Sequence, residues 1–142
     1  MKLFESTSIP YIEMSSKEQE NVNVTNLINI LAKRGIEGIR INNDKHCADI
    51  VAHDPSTGQN TNIQVKGNRR VVVSSKYKNR SVWIATFIPD RNEFFLFDHD
   101  LALDSMKSSL RYMKKGQDGT SILAGDPLLD FLVKEAQGQF FV

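Results

Sequence analysis

Three polar residues on two consecutive apolar runs have the types and spacing of a catalytic centre. Asp49 lies near the start of the run "ADIVAHD", and Gln64 and Lys66 lie on the run "TNIQVKG", which follows the polar turn "PSTGQN". Side chains of a β-strand alternate between its two faces, so Gln64 and Lys66 share one face while Ile63 and Val65 share the other. If the two runs pair as a hairpin, Asp49 lies beside Gln64 and Lys66.

These residue types suit a hard divalent cation such as Mg²⁺, which binds carboxylate, amide and main-chain carbonyl oxygens and keeps several waters. The Asp49 carboxylate, the Gln64 side-chain oxygen and the Val65 carbonyl could supply such ligands. Lys66 could then orient or deprotonate an attacking water, or stabilise the charge that develops on a phosphate. Each residue alone has an ordinary explanation, as a turn former or an exposed strand residue, so only the combination favours a site.

A helix before these strands offers a fourth member of the site. Residues from about Ser15 to Arg34 predict this helix, with a serine cap at its start and Gly35 as its stop. Glu20 projects from the apolar stripe that must face the sheet, where an acid is costly unless it is paired or metal-bound. The alternative is a first-turn glutamate at the solvent edge that interacts with the helix dipole. The stripe consists of Val24, Leu27, Ile28 and Leu31.

The remaining runs predict one sheet flanked by helices, hence an α/β fold in a single domain over residues 1–142. The runs "GIRIN", "ADIVAHD" and "TNIQVKG" predict three adjacent antiparallel strands, and "SVWIATFI" and "EFFLFD" predict two more, the first of them central. An amphipathic helix is expected to end at Gly116, and "DPLLDFLVKEA" predicts a short last helix. The amphipathic helix would carry Leu101, Met106, Leu110 and Met113 on one face and Lys107, Arg111, Lys114 and Lys115 on the other.

Composition narrows the class of protein. The chain has 142 residues and 40% apolar residues, enough for one core. No run approaches the ~18 apolar residues of a membrane span, and the N-terminus lacks the order of a secretory signal, so we expect an intracellular, cytoplasmic protein without a membrane partner. The only cysteine, Cys47, stands beside His46, but no second Cys-His pair exists, which argues against zinc. His46, His53 and His99 are expected at the surface or in turns.

Basic residues are concentrated in the segment that follows the third predicted strand. The net charge is only +1, yet residues 66–80 contain six basic residues and no acidic one. Such a segment could face phosphates, whereas the alternative is a solvated, mobile loop. The residues beyond Lys66 that could contact phosphates are Arg69, Arg70, Lys76, Lys78 and Arg80.

The pattern Asp49…Gln64-Val65-Lys66, on a hairpin after an N-terminal helix, resembles the PD-(D/E)XK nuclease superfamily over roughly residues 15–100. That superfamily includes restriction enzymes, Holliday-junction resolvases and homing endonucleases. The resemblance implies a restriction endonuclease-like αβββαβ core with a central mixed sheet. It also implies that Asp49 and Gln64 bind the metal, that Lys66 is the catalytic lysine and that Glu20 is the helix acid.

The sequence departs from the superfamily pattern at three positions, one of which, Ala48 in place of proline, matters little chemically. Gln64 stands where an acid is usual, a substitution that some homing endonucleases of this fold share, and an uncharged ligand should bind Mg²⁺ less tightly. The helix acid often lies about eleven residues before the glycine that ends the helix, and here that residue is Val24, with Glu20 one turn earlier.

These observations favour a Mg²⁺-dependent DNA endonuclease, of the homing, restriction or junction-resolving type. The alternatives are a catalytically inactive nucleic-acid-binding module and a protein-interaction module on the same fold. A small domain that reads a long DNA site needs more surface, so we expect a homo-oligomer, a dimer or a tetramer. The segment 101–115 and the tail "FLVKEAQGQFFV" could form its interface, or could pack on the domain's own sheet.

Overall fold

The chain folds into three α-helices and eight β-strands over the residues that the computed structural model describes, 8–43 and 47–142. A 3-10 helix, Tyr11–Glu13, precedes helix α1, Ser16–Lys33. Three strands follow: β1, Glu37–Asn43; β2, Ala48–Asp54; and β3, Gln59–Lys66. The later elements are β4, Arg70–Ser74; a 3-10 helix, Ser75–Tyr77; β5, Val82–Ile88; β6, Glu93–Asp98; α2, His99–Ser109; β7, Gly119–Leu123; α3, Asp126–Glu135; and β8, Gln139–Phe141.

Helix α1 forms where the sequence predicts it. Its start is a capping box, in which the Ser15 hydroxyl accepts the Glu18 N–H and the Glu18 carboxylate accepts the Ser15 N–H, both at 3.2 Å. Its end is followed by Gly35, whose φ of +76° suits glycine. The predicted stripe packs on the sheet, with three residues buried and Ile28 half-buried. The buried members are Val24, Leu27 and Leu31.

The main sheet has six strands in the order β1-β2-β3-β5-β6-β8. All neighbours are antiparallel except β3 and β5, which are parallel, so the sheet is mixed. Strands β1, β2 and β3 are adjacent and antiparallel, as the sequence predicts. Strand β5 is central, as expected from its apolar sequence, because α1 covers one of its faces and α2 and α3 cover the other. The predicted fold class, a mixed sheet flanked by helices, is confirmed.

The basic segment after β3 is built from regular structure rather than from a solvated loop. Strand β4 pairs with β7 as a separate two-stranded sheet, and Val71 and Val73 of β4 are buried in the core. Tyr77 of the following 3-10 helix is buried as well. These elements occupy the crossover between β3 and β5, where the αβββαβ order expected from the resemblance has a helix.

Helix α2 ends seven residues before Gly116, the stop that the sequence predicts. Ser108 and Ser109 donate their hydroxyls to backbone carbonyls, and Leu110 takes a left-handed φ of 56°. Serines whose hydroxyls bond to the backbone weaken a helix slightly, which favours an end at this point. Leu110 is therefore exposed, and the predicted basic face does not form, because three of its four residues lie beyond the helix. Those three are Arg111, Lys114 and Lys115.

His99 is a core residue, contrary to the prediction of a surface or turn position. It is fully buried, its Nε2 accepts the Ser74 N–H at 3.0 Å, and its Nδ1 lies 2.8 Å from the Asp100 carboxylate. A histidine with both ring nitrogens bonded can be buried at low cost. His53 is half-buried, with Nδ1 2.7 Å from the Asn60 side-chain oxygen. His46 lies outside the described residues.

The tail packs on the chain's own sheet. Helix α3 forms as predicted, and β8 then pairs with β6 at the sheet edge. Phe140 and Phe141 contact the two opposite core clusters. This segment thus follows the second of the two arrangements expected for it, packing within the domain. Among the described residues, no helix combines the length and apolarity that crossing a membrane requires.

Candidate active site

The β2–β3 hairpin brings Asp49 to the end of β3. The strands pair antiparallel with Ile50 opposite Ile63, and the same register continued by one residue sets Asp49 opposite Gln64. The Asp49 carboxylate accepts the backbone N–H of Val65 at 2.8 Å. The N–H and C=O of a strand residue point to the same side, so the Val65 carbonyl is directed toward the Asp49 strand as well.

Charged residues surround the Asp49 carboxylate, which is half-buried. Burial raises the pKa of Asp49 above its usual value, and the negative charge of Glu20 raises it further. The hydrogen bond from Val65 and the positive charges of Lys66 and Arg40 act in the opposite direction. The structure therefore brings Glu20 and Lys66 within electrostatic reach of Asp49.

Glu20, rather than the residue at the usual position of the helix acid, faces this site. Val24 stands at that usual position but is fully buried in the core between α1 and the sheet. One turn earlier, α1 reaches the end of the sheet, where Glu20 is half-buried. The Glu20 carboxylate thus stays accessible to a ligand, whereas an acid at position 24 would be enclosed by apolar side chains.

A cavity of about 370 Å³ adjoins the site, between the N-terminal half of α1 and the chain that leaves β3. Asn23 lies in its wall, is only 2% exposed and donates its side-chain N–H to the Tyr11 hydroxyl at 2.8 Å. Both residues pack against Gly67, where a Cβ would lie 3.1 Å from the Tyr11 hydroxyl and 3.2 Å from Asn23 Nδ2. The other polar and charged residues in the wall are Ser16, Gln19, Glu20, Lys66, Asn68 and Arg70.

Sequence reasoning did not identify Tyr11 and Asn23. The available signal for Asn23 was its place beside Val24 and one turn after Glu20, where a polar residue interrupts the buried side of the helix. Tyr11 gave no comparable signal, because its contact with α1 depends on the path of the chain before the helix. Gln19 holds that path by donating its side-chain N–H to the Tyr11 carbonyl at 2.9 Å.

The donor set fits a hard cation. Asp49 and Glu20 offer carboxylate oxygens, and the pKa of Asp49 is raised mainly by burial and further by the charge of Glu20, both of which a bound cation would offset. Gln64 and the Val65 carbonyl add neutral oxygens of the kind that Mg²⁺ accepts. Within residues 8–43 and 47–142, no group of three or more His, Cys, Asp or Glu side chains is arranged to hold a metal. A cation here would thus depend on two carboxylates and on neutral oxygens.

Arg69 does not face this site. Its guanidinium makes two 2.7 Å hydrogen bonds to the Asp90 carboxylate and a 2.8 Å bond to the Ala124 carbonyl. The bond from Arg69 lowers the pKa of Asp90 to about 2. The guanidinium also lies 3.7 Å from Asp126, at the start of α3. Arg69 thus connects the β5–β6 turn, the end of β7 and α3, and these contacts engage three of its five N–H donors.

Three of the other basic residues lie away from Lys66. Strand β4 extends about 13 Å from Arg70 to Ser74, at ~3.3 Å per residue. Strand β5 then begins with Val82, which lies beside Asn62 of β3. Lys66 pairs four residues further along, with Thr86. Only Arg70 therefore remains beside Lys66. The residues at the opposite end of β3 and β5 are Lys76, Lys78 and Arg80.

Neighbouring arginines provide a test of this division. We expect Arg69→Ala to lower the melting temperature by several degrees, since it leaves the Ala124 carbonyl and the Asp90 and Asp126 carboxylates without their partner. Arg70→Ala removes an exposed side chain and should leave the melting temperature nearly unchanged. Thermal unfolding of both variants at neutral pH measures the difference. Equal melting temperatures would show that the Arg69 contacts contribute nothing to stability.

Comparisons with known proteins identify the fold. No family model and no curated protein sequence matches the chain. The structure is similar to Hjc, a Holliday junction resolvase from Archaeoglobus fulgidus, with a TM-score of 0.53 and 17% identity over 73% of this chain and 83% of that one. It is also similar to the bacterial homing endonuclease I-Ssp6803I, with a TM-score of 0.50 and 17% identity over 79% of this chain and 78% of that one. The chain therefore has the restriction endonuclease-like fold of these two nucleases.

Proposed function

We propose that this protein is a Mg²⁺-dependent endonuclease that hydrolyses phosphodiester bonds in DNA, and that it belongs to the PD-(D/E)XK superfamily. The observation that carries the proposal is the hydrogen bond from Val65 to Asp49, which fixes a carboxylate beside Lys66 and Glu20 at the end of β3. The fold shared with a junction resolvase and a homing endonuclease supports it.

Each residue has a role in this proposal. Asp49, Gln64 and the Val65 carbonyl would hold the cation, and Glu20 would add a second carboxylate. When bound, the cation would polarise the scissile phosphate and lower the pKa of a bound water. Lys66 orients that water or accepts its proton, or donates a hydrogen bond to the phosphate as charge develops. The water oxygen forms a bond to phosphorus, the bond from phosphorus to the leaving sugar oxygen breaks, and that oxygen takes up a proton from solvent.

Plasmid nicking tests the proposal. Supercoiled DNA should be converted to nicked or linear forms with Mg²⁺ and should stay intact with EDTA. Because a junction-resolving or site-specific enzyme can leave an arbitrary plasmid intact, four-way junctions and a random-sequence duplex library must also stay intact with Mg²⁺ to refute the endonuclease. A salt-dependent gel shift of uncut DNA would then favour the second candidate, a nucleic-acid-binding module without catalysis, which the neutral Gln64 motivates. If the protein neither cleaves DNA nor shifts it in a gel, the third candidate remains, a protein-interaction module.

The type of endonuclease follows from the substrate. A four-way junction cut faster than a linear duplex of the same sequence would identify a junction-resolving enzyme. Cleavage at one position in a long duplex would instead identify a site-specific enzyme of the homing or restriction type. We further propose that the active form is a homodimer or homotetramer, because one small domain offers little surface for a long site. Sedimentation with and without DNA measures the oligomeric state.

Gln64 provides a sharper test of the metal site. Gln64→Glu adds a carboxylate of nearly the same size beside Asp49, so half-maximal cleavage should need less Mg²⁺. Without metal, the added charge repels Asp49 and Glu20, so the melting temperature should fall and should recover when Mg²⁺ is added.

Gln64→Ala serves as the matched control and should lose activity. Wild-type Mg²⁺ dependence in both variants would reduce Gln64 to an ordinary strand residue.

A further inference from the structure

The cavity between α1 and the chain after β3 contains hydrogen-bond donors that the catalytic set does not use. The Tyr11 hydroxyl oxygen accepts a hydrogen bond from Asn23, which leaves its own hydrogen free to donate. Within residues 8–43 and 47–142, the Arg70 guanidinium makes no hydrogen bond or ion pair. A neutral hydroxyl and an unpaired guanidinium in one cavity are suited to a phosphate group.

Asn23 is placed to direct the Tyr11 hydroxyl. Its amide is buried, yet within the described part of the chain its side-chain oxygen has no hydrogen-bond partner. An unsatisfied buried oxygen lowers stability, so an apolar residue would serve α1 better if packing were the only function here. The contribution that remains is the 2.8 Å hydrogen bond to Tyr11.

The turn that carries Arg70 is held in place by the backbone. Arg70 donates its N–H to the Gly67 carbonyl at 3.0 Å, and the buried Thr86 hydroxyl donates to the Arg70 carbonyl. Asn68 and Arg69 take left-handed φ angles of 49° and 57°. Such angles cost energy in residues other than glycine and persist where surrounding contacts enforce them. The turn therefore presents the Arg70 side chain from a fixed backbone.

The cavity also meets the catalytic set. Lys66 lies in its wall, directly before Gly67, so the cavity adjoins the position that the proposed function gives to the scissile phosphate. Glu20 is the acid in the same wall, so it places a negative charge beside the cavity. The cation of the proposed function would offset the Glu20 charge.

We propose that this cavity is a second phosphate subsite, which binds the DNA phosphate next to the one that is cleaved. Arg70 and the Tyr11 hydroxyl contact that phosphate, and Asn23 is a positioning residue that holds the hydroxyl. The inference rests on the proposed function for the placement of the DNA strand.

The test neutralises one phosphate at a time. Duplexes with a single methylphosphonate at each position around the cut would be compared in cleavage and in equilibrium binding. Neutralising the phosphate in the subsite should weaken binding by wild type about 10- to 100-fold, and Arg70→Ala should weaken binding to unmodified DNA by a similar factor. On the duplex whose subsite phosphate is neutralised, Arg70→Ala should lose no further affinity, because both changes remove the same contact. Tyr11→Phe should behave likewise, with a loss of about 3- to 10-fold.

Two further variants serve as a control and as a test of the positioning role of Asn23. Lys134→Ala, at an exposed position of α3, is the control whose affinity should match wild type on every duplex. Asn23→Ala should weaken binding in the wild-type background but should add nothing to Tyr11→Phe, a pattern that a merely structural role would not produce.

Two results would overturn the subsite. One is that Arg70→Ala binds unmodified DNA as tightly as wild type. The other is that Arg70→Ala loses as much affinity on every neutralised duplex as it loses on unmodified DNA. Because binding is measured separately, a wild-type chain that binds without cutting would refute the proposed catalysis and still decide the subsite.

Discussion

Lys66→Ala should abolish cleavage while the melting temperature and the DNA affinity stay close to those of the wild-type chain. Lys66 is half-buried at the cavity wall and within electrostatic reach of Asp49, so its loss affects the reacting groups rather than the core. Removing a group that acts in the transition state typically costs about 10²- to 10⁴-fold in rate. Single-turnover cleavage at saturating Mg²⁺ measures this loss.

Lys134→Ala is the matched control, because it removes the same charge from an exposed position of α3 and should cut like wild type. Residual cleavage by Lys66→Ala within a few-fold of wild type would remove the catalytic role from this lysine. A large loss of DNA affinity in Lys66→Ala would instead show that it acts mainly by binding phosphate.

Asp49→Asn should eliminate cleavage and yet raise the melting temperature of the metal-free protein. The asparagine oxygen can still accept the Val65 N–H. The substitution, however, removes a half-buried negative charge and the repulsion between that charge and Glu20. Mg²⁺ should then stabilise the wild-type chain and have little effect on the variant, because the variant lacks the principal carboxylate ligand. Thermal unfolding with Mg²⁺ and with EDTA measures both effects.

The stability difference should depend on pH in a defined direction. Burial and Glu20 raise the pKa of Asp49 in the folded state, so the folded chain binds this proton more tightly than the unfolded chain. Ionised Asp49 therefore destabilises the metal-free protein, and this effect grows as pH rises from the unfolded pKa through the raised folded pKa. Below both pKa values, wild type and Asp49→Asn should melt alike. A wild-type chain that is more stable than the variant at neutral pH without metal would contradict this account of Asp49.

The elements that hold the proposed catalytic set could be predicted because their signals are local. Helix α1 follows from its serine cap, its apolar spacing and Gly35, and the β2–β3 hairpin follows from alternation around a turn-rich segment. The period of two also predicts that Gln64 and Lys66 share a face. The bond from Val65 to Asp49 could not be predicted in the same way, because it joins a side chain to the backbone of another strand.

The features that were missed depend on partners far along the chain. Strand β4 pairs with β7 about fifty residues later, so the short run "VVV" among basic residues gave no sign of its partner. Arg69 contacts Asp90, Ala124 and Asp126, which only the tertiary structure brings together. A basic residue in a basic segment is predicted to face solvent unless those partners are known.

The most direct test of the metal site is a crystal structure of the wild-type chain soaked in Mn²⁺, an analogue of Mg²⁺ that gives an anomalous signal. The proposed site predicts one peak at the end of the β2–β3 hairpin, coordinated by the Asp49 carboxylate, the Gln64 side-chain oxygen and the Val65 carbonyl, with Glu20 at its edge. The same soak of Asp49→Asn crystals should give no peak there. A wild-type crystal that binds Mn²⁺ only elsewhere, or not at all, would contradict a metal-dependent nuclease centre at this position.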